Sequence, residues 1–182
     1  MPNHSLLHTP LRRELALLAA LGLASSLCAV MVLARVALTG SGRHIFMLWN
    51  LFLAWIPLLA ALAAHNAAQH LGFGWHGALA LAALWLVFFP NAPYVVTDLL
   101  HLQSADGVPL WYDVIMLAAF AWTGFLLGFV SLFVMQRLVR RAAGALAGWL
   151  FAGGVLSLSA FGIYLGRFLR WNSWDVFVNP AG

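Results

Sequence analysis

The sequence has little charge and no lysine. Only 8% of its 182 residues are charged, and all nine basic residues are arginine. Soluble domains have about 25% charged residues. Because 64% of the residues are hydrophobic and the mean hydropathy is +0.92, the chain has more apolar surface than a soluble fold of this size can bury. These properties exclude a soluble domain and favour an integral membrane protein.

Cysteine is also scarce. Cys28 is the only one, so no internal disulfide can form. The net charge of +4 would suit nucleic acid, but the arginines lie at the ends of apolar runs, where topology and anionic headgroups explain them. We therefore predict membrane lipids as partners, and no nucleic acid. No glycine-rich phosphate loop, nucleophile elbow or HExxH motif occurs, and the sequence leaves any cofactor unknown.

Long apolar runs are abundant. A helix needs about 20 apolar residues to cross a bilayer, and five runs meet this length, at about 15–38, 44–64, 77–98, 113–136 and 145–168. They predict one all-α domain over residues 1–182, a polytopic transmembrane bundle of about five spans, with the third span broken at Pro90 and Pro93. The distribution of arginine predicts a cytoplasmic N-terminus.

Polar residues gather at one membrane face, which receives the start of spans 2 and 4 and the end of spans 3 and 5. The end of span 3 reads FFPNAPYVVTDLLH. If the helix resumes after the prolines, steps of three and four residues place four polar side chains on one stripe: Asn91, Tyr94, Asp98 and His101. We predict that this stripe is one wall of a polar site. A proline kink in which Asn91 caps a freed carbonyl, that of Leu86 or Phe89, is the alternative.

The other three span ends supply further candidates. Asn50 lies about two turns inside span 2, either in the site or in an interhelical hydrogen bond. Asp113 opens span 4, either in the site or in a favourable interaction with the helix dipole. The end of span 5 adds Arg167, Arg170, Trp171, Asn172 and Asp175. Arg167 and Arg170 are predicted to pair with Asp98 or Asp113 or to hold an anionic ligand, although arginine at a helix end also snorkels to headgroups.

Two other patterns bear on function. Asp98, His101 and Asp113 are candidates for a catalytic acid and base, and a weaker hypothesis makes them a metal site with one nitrogen and two oxygen ligands. Small residues at helical spacing indicate close helix packing, in this chain or against other transmembrane subunits. They are Gly124, Gly128 and Ser131 in span 4, and Ser159, Gly162 and Gly166 in span 5.

Three motifs in order, WNLFLAWIP, FFPNAPYVVTDLLHL and FGIYLGRFLRWNSWDVFVNP, resemble the bacterial membrane proteins grouped as domain of unknown function 1361. The resemblance covers most of the chain from Trp49 to Pro180. It implies a small multi-span protein of the bacterial inner membrane, adds no reaction, and implies a further span after Asn179 and Pro180. The matching positions are Asn50, Pro90, Asn91, Pro93, Tyr94, Thr97, Asp98, His101, Arg167, Arg170, Trp171, Asn172 and Asp175.

Three functions are compatible with this pattern. The favoured one is a polar site at the outer membrane face that binds or processes an anionic lipid headgroup or a phosphate-bearing ligand. The alternative is a non-catalytic accessory or assembly subunit, in which the charged pairs are internal bridges. A small transporter, suggested by the broken third span, ranks third because no inverted repeat is present and the polar groups lie near one face.

Overall fold

The computed structural model describes residues 8–69, 74–102 and 107–168, and the only regular secondary structure within these ranges is helical. The elements are α1 (His8–Thr39), α2 (Phe46–Gln69), α3 (Gly74–Phe88), α4 (Asn91–Tyr94), a 3-10 helix (Val95–His101) and α5 (Leu110–Phe168). Four of these stretches are long and apolar enough to cross a membrane. The all-α membrane prediction is therefore confirmed.

Helix α5 contains two of the predicted spans. Its 59 residues would extend about 88 Å if straight, roughly three times the hydrocarbon thickness of a bilayer. The helix breaks at Gly144, whose φ of 89° lies in the left-handed region that glycine adopts without strain. We call residues 110–143 α5a and residues 145–168 α5b. The two halves fold back on each other, because Met135 of α5a and Ala152 of α5b belong to one buried cluster.

The connection between the fourth and fifth spans differs from the prediction. The sequence predicts that span 4 ends near residue 136 and that span 5 begins near 145, whereas α5a continues as a helix through Arg137, Arg140 and Arg141. Alanine and arginine favour helix, so only the glycine interrupts it. The turn is tight, since a Cβ on Gly148 would meet the side chain of Arg140.

Two buried clusters hold the helices together. One joins α1, α2, the 3-10 helix and α5a around Val32, Met47 and Phe120. The other joins α2, α3, α5a and α5b, where Trp85 and Phe89 pack together with ring centroids 4.9 Å apart. Many large apolar side chains point outward, including Trp122, Trp149 and Leu150. An exposed apolar belt of this kind suits a lipid environment rather than water.

The third span is broken at Pro90 and Pro93, as predicted. Helix α3 ends at Phe88, and the chain continues as one α-helical turn followed by the 3-10 helix. The side-chain amide of Asn91 donates to the carbonyl oxygen of Phe88 at 3.0 Å. The expected acceptors, Leu86 or Phe89, were therefore wrong, and the Phe89 carbonyl instead accepts from the Ala92 N–H at 3.1 Å.

The broken segment is clamped between the two halves of α5 at three glycines. A Cβ on Gly124 would lie 2.7 Å from the Ala92 carbonyl oxygen, and one on Gly128 would lie 3.3 Å from the Ala92 Cβ. From the other side, a Cβ on Gly162 would lie 3.1 Å from Pro90 Cγ. These small residues therefore allow close packing inside this chain, which is one of the two roles predicted for them.

Candidate functional site

One end of the bundle carries the polar residues that the sequence singled out. The end of α1, the start of α2, the end of the 3-10 helix, the start of α5a and the end of α5b converge there through the contacts described below. We call this end the polar face. Its polar and charged members among the described residues are Arg35, Arg43, His44, Asn50, Asp98, His101, Asp113 and Arg167.

The innermost contact of the polar face is an ion pair between α1 and α5a. Arg35 Nε donates to Asp113 Oδ1 at 2.7 Å, and Arg35 Nη2 donates to Asp113 Oδ2 at 3.0 Å. Both residues are almost completely buried, at 0% and 1% exposure. The neighbouring Tyr112 hydroxyl donates to the Met31 carbonyl at 2.8 Å and fixes the same pair of helices. Asp113 therefore neutralises a buried arginine and has a role beyond the helix dipole.

Arg35 was missed as a site residue, because its position near the end of span 1 suggested an interfacial side chain. A signal was available in the sequence, since an ionisable residue inside an apolar run calls for a partner. Span 1 holds this one charged residue, and span 4 opens with one acid. Of the partners predicted for the arginines of span 5, Asp113 is instead engaged by Arg35 through both carboxylate oxygens.

A second buried contact joins α2 to the 3-10 helix. Asn50 Nδ2 donates to Asp98 Oδ2 at 2.9 Å, and Asp98 is 1% exposed. The sequence named both residues as site candidates, and the structure brings them together. The bond crosses between helices, as the alternative for Asn50 proposed. Asp98 also lies within electrostatic range of His101 and Arg167.

The outer contact of the polar face joins the 3-10 helix to α5b. Arg167 Nη1 lies 3.2 Å from His101 Nε2. Guanidinium has no acceptor, so Arg167 donates and His101 Nε2 accepts as the neutral ring. The His101 ring packs edge-on against Phe46, with centroids 5.1 Å apart. Arg167 makes no salt bridge with any residue that the structure describes.

His44 is a buried residue of the polar face that the sequence analysis did not identify. It lies in the short connection between α1 and α2 and is only 2% exposed. Neither ring nitrogen has a hydrogen-bond partner among the described residues. Burial lowers the pKa of His44, the charge of Arg35 lowers it further, and Asp113 opposes both. No sequence pattern pointed to His44, because nothing in its spacing links it to the other polar residues.

The predicted stripe on span 3 divides into two parts. Asp98 and His101 are three residues apart in a 3-10 helix, whose three residues per turn place them on the same side. Asn91 instead caps the end of α3, which is the alternative given for it. Tyr94 is half-buried in α4, and its carbonyl accepts from the Thr97 hydroxyl at 2.7 Å. Arg170, Trp171, Asn172 and Asp175 lie outside the described residues.

The metal hypothesis for Asp98, His101 and Asp113 is wrong for the part of the chain that the structure describes. No group of three or more His, Cys, Asp or Glu residues there is placed to hold a metal ion. The physical reason is that Arg35 engages both oxygens of Asp113, while Asn50 engages Asp98. As possible acid and base, Asp98 and His101 each already have one partner, Asn50 and Arg167.

These features define a polytopic α-helical membrane protein with a partly buried polar cluster at one end of the bundle. The chain belongs to the family described as Protein of unknown function (DUF1361), whose sequence profile matches residues 49–182. The expected family resemblance is thus confirmed. No curated protein and no solved structure matches the chain.

Proposed function

We propose that this protein binds an anionic lipid headgroup, or another phosphate-bearing group, at its polar face. The observation that carries the proposal is the position of Arg167. The polar face holds two described aspartates, but Asp113 is paired with Arg35 and Asp98 with Asn50. Arg167 donates only to the neutral His101 among the described residues. An anion is the partner that such an arginine lacks.

The distribution of charges on the polar face also supports an anion site. Its described residues include three arginines, Arg35, Arg43 and Arg167, against two aspartates, Asp98 and Asp113. Both aspartates are buried and already bonded, whereas Arg43 is exposed and Arg167 is half-buried. Among the described residues, the accessible charged side chains of this face are therefore arginines. Guanidinium matches the geometry of phosphate, and the end of a membrane span is the depth at which phosphate headgroups lie.

A lipid-binding experiment with purified protein tests the proposal. The protein is placed in nanodiscs of phosphatidylcholine with increasing phosphatidylglycerol, and bound lipid is measured by native mass spectrometry. Losing one charge-assisted hydrogen bond of about 1.5–3 kcal/mol predicts that Arg167→Gln weakens phosphatidylglycerol binding at least about tenfold. Arg167→Lys keeps the charge without the fork and should lose less.

The matched control is Arg137→Gln. Arg137 is an exposed arginine near the opposite end of α5a, where its guanidinium lies 5.2 Å from the centroid of the Phe133 ring. Its loss should leave most of the binding intact. Equal binding by wild type and Arg167→Gln contradicts the proposal. Soluble dimethyl phosphate at matched concentration separates the two sources of phosphate, because competition by it indicates a site for a free anion rather than a lipid.

We also propose that the polar face lies on the outer side of a bacterial inner membrane, with the N-terminus in the cytoplasm. The arginines of the turn between α5a and α5b, Arg137, Arg140 and Arg141, then lie on the cytoplasmic side. The positive-inside rule supports this orientation.

A second candidate function is an accessory subunit of a larger membrane complex. The closed pair of Arg35 and Asp113 favours it, since a bidentate bridge with 0% and 1% exposure leaves no room for a ligand between the two side chains. Helix α1 is also peripheral, with only 17% of its most apolar window buried. Purification in mild detergent at native expression separates the candidates. A stable heteromeric complex favours the subunit, and a lone chain that binds phosphatidylglycerol favours the anion site.

A further inference from the structure

The histidine beside the ion pair has hydrogen-bonding capacity that the described structure does not use. His44 is 2% exposed, and both of its ring nitrogens are without a hydrogen-bond partner among the described residues. A buried polar group without a partner loses about 1–3 kcal/mol of solvation that nothing replaces. Such a group is uncommon in folded proteins and indicates a role that is completed by something else, such as a ligand.

The charges around His44 indicate which kind of group would serve as its missing hydrogen-bond partner. It interacts electrostatically with Arg35 from α1, Asp113 from α5a, His101 from the 3-10 helix and Arg43 from its own connection. Two of these four groups are permanent cations. The single carboxylate, Asp113, is already engaged by Arg35 through both oxygens. Among the charged groups that interact with His44, cations therefore outnumber carboxylates.

We infer that His44 is a ligand-contacting residue of the anion site, and that its ring takes up one proton from solvent when a phosphate-bearing group binds. This inference rests on the proposed function and deepens it, because it makes binding proton-coupled. No covalent bond is made or broken. The proton comes from bulk water, and the resulting imidazolium donates a hydrogen bond to a phosphate oxygen.

The electrostatics of the ligand-free protein support this order of events. Burial and the nearby arginines lower the pKa of His44, which keeps the ring neutral near neutral pH. A phosphate group bound at Arg167 would add a negative charge to these surroundings and favour the charged ring. The exposed Arg43 precedes the buried His44 directly in the chain.

The connection that carries His44 begins with a glycine in an unusual backbone conformation. Residues 40–45 include two glycines, and Gly40 has a φ of 68°, in the left-handed region. A Cβ on Gly40 would meet nothing within 4 Å. The glycine is therefore required by the backbone conformation rather than by packing, and the connection is not wedged against the helices at that residue.

Calorimetry of a phosphodiester measures the proton directly. The probe is dihexanoyl-phosphatidylglycerol, whose phosphate does not titrate near neutral pH, so that any proton taken up belongs to the protein. Titration at pH 6.5 in two buffers with different ionisation enthalpies gives the number of protons bound. We expect uptake approaching one proton and binding several-fold tighter at pH 6 than at pH 8, within the limit of about tenfold per pH unit for one proton.

Two histidine variants assign the proton. His44→Gln, which keeps a hydrogen-bond donor but cannot be charged, should bind with little proton uptake and a flat pH profile. His76→Gln is the matched control, because His76 is exposed near the start of α3, distant along the chain from the polar face, and should behave as wild type. Wild type without proton uptake overturns the inference even if no variant is stable. Uptake that survives in His44→Gln but disappears in His101→Gln overturns it as well.

The outcomes separate this inference from the proposed function. If Arg167→Gln and His44→Gln both bind the probe as wild type does, the anion site itself is wrong. If Arg167→Gln weakens binding while His44→Gln retains the full proton uptake, the anion site stands and the role of His44 is wrong. Dimethyl phosphate run in parallel shows whether the proton accompanies a free phosphodiester or only a lipid.

Discussion

Arg35 and Asp113 are 78 residues apart in the chain and form a bidentate ion pair that is almost inaccessible to solvent. The pair fixes the last turns of the otherwise peripheral α1 to the first turn of α5a. A buried ion pair is often no more stable than an apolar replacement, but a single unpaired charge in the same place is strongly unfavourable. The pair therefore specifies which surface of α1 faces the bundle.

Breaking this ion pair from one side should destabilise the protein. Asp113→Asn leaves the buried guanidinium of Arg35 without its counter-charge, and we expect unfolding to become easier by about 3–5 kcal/mol. The double variant Arg35→Met, Asp113→Leu removes both charges and should recover most of that loss. Thermal unfolding in detergent measures both effects. Glu14→Gln, an exposed acid on the same α1, is the control. A double variant no more stable than Asp113→Asn contradicts this account.

Breaking the contact between Asn50 and Asp98 should also destabilise the protein, but by a smaller amount. Asn50→Leu leaves a buried carboxylate without its amide donor, which costs about 1–3 kcal/mol. Asn66→Leu is the matched control, because Asn66 is exposed near the other end of α2. Denaturant unfolding of the two variants should differ clearly. If Asn50→Leu is as stable as Asn66→Leu, the 2.9 Å hydrogen bond contributes nothing measurable.

Two glycines of α5, Gly124 and Gly153, should respond in opposite ways to substitution by alanine. Gly124→Ala places a Cβ 2.7 Å from a backbone carbonyl of the clamped segment, so we expect a loss of about 1–3 kcal/mol from overpacking. Gly153→Ala meets nothing within 4 Å and gains helix propensity, so it should be neutral or stabilising by up to about 1 kcal/mol. Melting temperatures of the two variants test this contrast, and a tolerant Gly124→Ala argues against the close approach of Ala92.

Stability should depend on pH through His44. Its folded-state pKa is lowered from the ordinary value near 6.5, so the unfolded chain binds more protons in acid. The free energy of unfolding should therefore be highest above about pH 6.5 and fall as the pH drops below it. His44→Gln should flatten this part of the profile in ligand-free detergent solution, whereas His76→Gln should not. Identical acid profiles for wild type and His44→Gln contradict this prediction.

Membrane orientation can be tested with single cysteines. Cys28 is fully buried, so an impermeant maleimide should not label the wild type. Ser41→Cys in the connection between α1 and α2 should react from the outer side of intact cells. Ala143→Cys beside the break in α5 should react only after the inner side is opened. If both cysteines are labelled from the same side, the hairpin at Gly144 is contradicted. If Ser41→Cys is labelled from the inner side and Ala143→Cys from the outer side, only the proposed orientation is reversed.

The candidate site was predictable where it depends on position along a helix. Asn50, Asp98, His101, Asp113 and Arg167 were named from polar residues at span ends, and the order of the spans places those ends on one face. In the structure Asn50 contacts Asp98, and His101 contacts Arg167. Helical spacing failed on Asn91, because the prolines change the local geometry and its amide turns back to the Phe88 carbonyl.

Partners across the bundle were not predictable in the same way. An arginine was expected opposite Asp113, but its identity depends on which helices are adjacent and how each is rotated. Arg35 and the buried His44 were therefore missed, and for Arg167 the sequence left open an aspartate of this chain or an anionic ligand. Hydrogen bonds between residues 48 to 78 positions apart leave no periodic signal in one sequence.

The sequence by itself determined the class of protein, the number of crossing segments, the break in the third span and the face that carries the polar residues. Each follows from local physics: the length of apolar runs, the missing N–H of proline, and the parity of spans in a bilayer. Only the tertiary structure decided that Asp113 is closed by Arg35, that Asp98 is held by Asn50, and that Arg167 is left beside a neutral histidine. Those pairings depend on the rotation and depth of packed helices, which close contacts such as Gly124 against Ala92 set, and which no single helix encodes.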